Sequence, residues 1–220
     1  MFKRRVGEVR PSQVMHTFGV GSVVDLPYFS AIILGLHRWP EPQPKQILSE
    51  DRLLRLVRSH LPQVEKLVVP PARSDSTKSF DPYDPESLRG IPVSPFPRWV
   101  RCPLCNLMAP LSSGVFELKG NPYHPDSTKY VHQNCPKGRG NFGPTVVPVR
   151  FIRVCEESGH MDDFPWDEYV HGGQSCGRPL LRFFEFGASA EATDIVVKCE
   201  TCGVSRPCLL YTSPSPRDRS

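Results

Sequence analysis

Seven of the eight cysteines in this 220-residue chain fall in a pattern suited to holding metal ions: Cys102-Pro-Leu-Cys105, His132-Gln-Asn-Cys135, then Cys155, Cys176 and Cys199-Glu-Thr-Cys202. Two pairs of ligand-x-x-ligand spacing can grip one tetrahedral cation, because each tight turn aims both side chains at a single point. Cys102, Cys105 and Cys135 therefore form a first ligand set, with His132 as its fourth member. Redox chemistry of the thioredoxin type competes for any Cys-x-x-Cys pair. No strand–helix–strand pattern surrounds this one, however, and Pro103-Leu104 suits a metal knuckle.

Downstream, Cys155, His160, Cys176, Cys199 and Cys202 compete for four places in a second set. The expected ligands are the four cysteines, Cys155, Cys176, Cys199 and Cys202, with His160 beside them. Four protein ligands leave no open position for water, so two structural Zn²⁺ sites are expected, organising the fold rather than catalysing a reaction. His160 with Asp162 and Asp163 offers a different chemistry, a metal-dependent nuclease or hydrolase. Against it, the adjacent Phe164, Pro165 and Trp166 look like packing residues.

The elements that must position these ligands are short. Twenty-five prolines are about twice the usual share of ~5% and imply long irregular connections. The expected fold is α+β and loop-rich, with short antiparallel strands, zinc-ribbon-like metal sites and few helices. Its segments are an N-terminal α/β region (1–69), a Pro-rich connection (70–98), a first zinc-binding module (99–150) and a second (151–207). In the first region, a short helix is expected over 12–18 and strands over 22–26 and 31–36. Gly19-Val-Gly-Ser22 precedes a strand instead of opening a helix, so it reads as a glycine turn and not a phosphate loop. The best helix runs over 49–61: Ser49 can cap it, Glu50 and Asp51 favour its positive end, and Pro62 stops it. Leu53, Leu56 and Val57 share one face, and Arg52, Arg55 and Arg58 form a basic stripe, either a solvated face or a phosphate-contacting one.

No membrane association is expected, since the apolar run at 31–36 is far shorter than the ~20 residues of a spanning helix. The charged start, Met1-Phe-Lys-Arg-Arg, is followed by no apolar stretch of a secretory signal, so a cytoplasmic location is expected, where thiols stay reduced. The tail differs from the rest. Residues 208–218, "CLLYTSPSPRD", resemble the translated read-through of a transposase-type sequencing adaptor, and 208–220 are read as an artefact that cuts short a longer protein. Cys208 is set aside with it. Without Arg217, Asp218 and Arg219, the 27 basic and 23 acidic residues become 25 and 22, a net of +3 that does not by itself imply nucleic acid.

Four stretches carry a family resemblance: "RPSQVMHTFGVGSVVDLP", "VSPFPRWVRCPLC", "PVRFIRVCEESGHMDDFPWDEYVHGG" and "IVVKCETCG". Together they resemble the DrmB family of bacterial DISARM anti-phage defence systems, over residues 6 to about 206. The most specific is the run from Cys155 to Trp166, Cys-x4-His-x-Asp-Asp-Phe-Pro-Trp. The resemblance implies a cytoplasmic subunit that accompanies the SNF2-like helicase DrmA in a complex engaging phage DNA, with a further C-terminal domain. No catalytic residue is carried over. The chain also lacks a G-x-x-x-x-G-K-[ST] nucleotide loop and an H-E-x-x-H metalloprotease motif. A free-standing zinc-ribbon nucleic-acid binder is the remaining alternative, which the small net charge disfavours.

Overall fold

A computed structural model of the chain describes residues 4–10, 12–13, 17–39, 47–68, 81, 90–140, 142–186 and 195–208. The short helix expected over 12–18 falls partly outside those residues, as does most of 70–98. Two compact units emerge: Met1–Phe96 with Gly120–Thr128, and Pro97–Lys119 with Lys129–Ser220. The architecture is α+β and loop-rich, with short antiparallel strands and two α-helices among the described residues.

In the first unit, β1 (Val23–Asp25) and β2 (Ser30–Ile33) form at two β-rich runs, within or overlapping the expected strands over 22–26 and 31–36. Then come β3 (Ile47–Leu48), α1 (Asp51–His60), β4 (Leu67–Val68) and β5 (Val93–Pro95). Strands β1, β2 and β5 make one antiparallel sheet, with Val24 opposite Ala31 and Ile33 opposite Val93. Period-two alternation puts Val24, Ala31 and Ile33 on one face, and all three are buried. The end of the Pro-rich connection is therefore a strand. Helix α1 is capped by Glu50, whose carboxylate accepts from the Arg52 N–H, and not by Ser49. A carboxylate supplies both a cap acceptor and a favourable charge at the positive helix end.

The second unit is built on β6 (Trp99–Arg101), β7 (Leu107–Pro110), β8 (Glu117–Asn121), β9 (His124–Val131), β10 (Val147–Pro148), β11 (Ile152–Val154), β12 (Met161–Asp163), α2 (Trp166–His171), β13 (Leu181–Glu185), β14 (Ile195–Cys199) and β15 (Ser205–Pro207), except that Gly120–Thr128, where β8 ends and β9 begins, belongs to the first unit. Six of its strands form one sheet in the order β10-β6-β7-β13-β14-β15. Segments 99–150 and 151–207 thus contribute three strands each to a continuous sheet, joined where Met108 pairs with Leu181 and Leu107 with Arg182. The segments β8–β9 and β11–β12 stand as two-stranded hairpins.

Directly opposed residues of an antiparallel pair share a face, and this sorts the core in two. Met108, Leu181, Phe183, Ile195, Val197 and Cys199 lie on one face, covered by Trp166 and Val170 of α2. Val100, Leu107 and Ala109 lie on the other, with Phe116, Val146, Cys102 and Cys105. Cys208 is fully buried in the first core, and its N–H donates to the Ile195 carbonyl at 2.8 Å, extending the β14–β15 ladder by one residue. Trp166 is the largest fully buried side chain and meets Phe151, Phe164, Tyr169 and Phe183 edge-on or tilted. Trp166→Ala is expected to cost about 3–5 kcal/mol, the usual range for emptying a buried aromatic site, read as a lower urea midpoint of the metal-loaded protein.

Candidate metal centres

At the first centre, the β6–β7 turn folds back so that the Cys102 N–H donates to the Leu107 carbonyl at 2.8 Å and the Asn106 N–H to the Cys102 carbonyl at 2.9 Å. This closure needs left-handed backbone at Asn106, whose φ is 62°; asparagine tolerates that region better than other side chains. A second turn, after β9, delivers His132 and Cys135, with the Cys135 N–H directed at the His132 carbonyl. The segment around Gly143 crosses it closely. A Cβ there would lie 2.1 Å from the His132 carbonyl oxygen, so only glycine fits.

The ligand atoms of Cys102, Cys105, His132 and Cys135 all lie within 4.8 Å of one another. Cys102 and Cys135 Sγ are 3.7 Å apart, and Cys105 Sγ is 3.4 Å from His132 Nδ1. A tetrahedron with metal–sulfur bonds of about 2.3 Å has sulfur–sulfur edges of about 3.8 Å, whereas a disulfide requires about 2.05 Å. The spacing fits a shared cation. Burial, helped by the Arg182 guanidinium, lowers the His132 pKa and keeps the imidazole in the neutral form that ligates.

The second centre brings together His171, Cys176, Cys199 and Cys202, again within 4.8 Å. Its knuckle repeats the first: the Cys199 N–H donates to the Val204 carbonyl at 2.8 Å, the Gly203 N–H to the Cys199 carbonyl at 2.9 Å, and Gly203 has φ 79°. Cys176 and Cys199 Sγ are 3.7 Å apart. The fourth member of this cluster is His171, and Cys155 lies outside it. His171 ends α2, where Gly172, at φ 65°, turns the chain back toward Cys176. Its Nδ1 donates to the Asp167 backbone carbonyl at 2.8 Å, with Asp167 Oδ1 also 2.8 Å away as ion-pair partner. That leaves Nε2 buried and, among the described residues, without a hydrogen-bond partner. A buried orphan nitrogen beside three thiols suits a metal ion, and the Asp167–His171 contact is the usual device that orients a ligating imidazole.

Cys155 is exposed at the β11–β12 turn beside His160, outside both quartets. Sequence spacing grouped it with the others because it sits at a strand end as they do, whereas His171 belongs to no ligand-x-x-ligand pair. The His160, Asp162 and Asp163 group is divided by strand alternation. Asp162 shares a face with His160, while buried Asp163 points the other way and accepts from the Arg98 N–H at 2.7 Å and Nε at 2.5 Å. Asp162 is paired with Arg98 and with Arg153. In the first unit, Arg52, Arg55 and Arg58 are exposed on α1. Arg58 donates to the Val64 and Glu65 carbonyls at 2.8 and 2.7 Å, and so ties the helix to the following loop.

A family model described as a domain of unknown function, DUF8724, matches residues 10–217. The chain belongs to that family. The matched range contains both quartets and runs past Cys208. The chain is also 26% identical, over 172 residues, to the DISARM protein DrmB of Bacillus paralicheniformis, an alignment covering 78% of this chain and 25% of that relative. It spans about a quarter of the relative's length. Among the described residues no helix is long and apolar enough to cross a membrane.

Ligand assignments are tested by metal content after dialysis. His171→Ala is expected to lose one of two tightly held equivalents and Cys155→Ser neither. Asp167→Asn removes the carboxylate charge beside Nδ1 but leaves the backbone-carbonyl hydrogen bond, so it should keep both and weaken the second by less than the ~10-fold that losing an outer hydrogen bond costs. Protons give an independent readout. Burial raises Cys102 to about 11, and the Asp167 carbonyl and Cys199 raise His171 to about 9. Near neutral pH both therefore hold protons that a metal must displace. Metal uptake should release at least one proton per centre, and affinity should climb with pH toward those values. Indicator-dye titration during loading reads the release directly.

Proposed function

We propose that this chain is a zinc-stabilised, non-catalytic part of a DISARM-type anti-phage defence protein, acting in the cytoplasm with the SNF2-like helicase DrmA on phage DNA. One observation carries the reading: two complete quartets of thiolate and imidazole ligands on one sheet, in a chain similar over 78% of its length to a DISARM protein DrmB. Sulfur-rich tetrahedral sets favour zinc, and with four protein ligands each they favour structure over catalysis. The ion pairs of Asp162 and Asp163 with arginines support a packing role for both carboxylates, against the metal-dependent nuclease reading.

DNA contact is ascribed to the complex and not to this chain alone. With a formal net charge of +4 over the whole sequence, the isolated chain neutralises few phosphates, and non-specific affinity follows that number. Arg52 and Arg55 are the candidates on α1, since Arg58 is held by two backbone carbonyls. In the helicase-containing complex, replacing Arg52 and Arg55 with glutamine should reduce the slope of log affinity against log salt by no more than about 2, at ~0.9 per contact. An unchanged slope would make the stripe a solvated helix face. Nanomolar DNA binding by the isolated chain in physiological salt would replace the partner-subunit reading with that of an autonomous nucleic-acid binder.

A further inference from the structure

The β11–β12 hairpin repeats, bond for bond, the turn that carries a cysteine pair into each quartet. In all three turns the N–H of the first cysteine donates to the carbonyl five residues on: Cys102 to Leu107, Cys199 to Val204, and Cys155 to His160 at 2.9 Å. In all three the cysteine carbonyl accepts from the N–H four residues on, which for Cys155 is Gly159 at 2.8 Å. That fourth residue has left-handed backbone each time: Asn106 at 62°, Gly203 at 79° and Gly159 at 65°. The closed turn aims the following N–H groups at sulfur. Cys155 receives the Ser158 hydroxyl and then the Ser158 and Glu157 N–H groups, which lower its pKa. Cys102 receives those of Cys105 and Leu104, and Cys199 those of Cys202 and Thr201.

A second ligand type stands beside this sulfur. Register pairs Val154 with Met161 and Arg153 with Asp162, so Cys155 and His160 are the next pair along the hairpin and share a face with Arg153 and Asp162. Those side chains and Val154 line a surface cleft of about 350 Å³. Ser158 stands where the other two knuckles carry their second cysteine, and His160 follows two residues later.

We propose that this hairpin is a third metal knuckle, in which Cys155 Sγ and the His160 imidazole bind one borderline-soft divalent cation, with water in the remaining positions. Two protein ligands make it weaker than either quartet and exchangeable. The proposal shares the quartets' geometry and rests on their reading as metal centres, so its test separates the two. The full chain is first loaded with zinc, which is spectroscopically silent, and then titrated with Co²⁺. Two zinc equivalents are expected to remain bound while one further Co²⁺ enters with a thiolate-to-cobalt charge-transfer band. Cys155→Ser should abolish that band, and His160→Ala should weaken the Co²⁺ affinity at least about 10-fold, the scale of losing one metal-orienting group. Both variants should keep two zincs, which also reports that they fold. A wild-type chain that gives no band, or a band that survives Cys155→Ser, overturns the third site. Fewer than two zincs in the wild type would count against the quartets, independently of the cobalt result.

Discussion

The short pairing of β7 with β13 is the contact on which the second unit depends. Only Met108 with Leu181 and Leu107 with Arg182 are in register there, yet this contact joins two three-stranded halves into one sheet. Arg182 donates to the Cys105 carbonyl of the first knuckle, and its neighbour Leu181 pairs with Cys199 of the second. One strand thereby touches both quartets. The two cores on opposite faces of the sheet are correspondingly small, which suits a fold whose loops are long and whose two clusters, when they hold metal, would supply stabilisation that apolar area does not.

Much of the first centre was legible in the sequence, because both of its pairs are local turns whose spacing alone aims the ligands. The second was legible only for Cys176, Cys199 and Cys202. Its remaining ligand comes from a helix end, and His171 reaches the site because Gly172 reverses the chain there, a relation that no ligand-x-x-ligand spacing encodes. Cys155 was drawn into that set for a sound reason: its turn has the same backbone hydrogen bonds as the two cysteine-pair turns, but its hairpin stands apart from the sheet.

Elsewhere the local signals held and the finer assignments shifted. The helix ending before Pro62 forms, but Glu50 caps it in place of Ser49, since a longer carboxylate reaches the same N–H and adds charge. The sequence pattern also grouped Asp162 with Asp163, which a strand must separate onto opposite faces; Arg98 then binds both. The sheet that joins segments 99–150 and 151–207 was not legible, because strand pairing between distant segments leaves no short-range signature.

The shared strand β13 sets an order for assembly. Each quartet closes a modest loop, 33 positions from Cys102 to Cys135 and 31 from His171 to Cys202. Closure entropy grows only logarithmically with loop length, so both rings can shut early on bound metal. Met108 and Leu181 lie much farther apart along the chain, and their pairing is of the non-local kind that slows folding. With both rings closed, the effective contour between those strands shrinks to the linker between the rings. Ions held by the two clusters would thus act as kinetic staples, lowering the effective contact order of the sheet as well as holding its finished form.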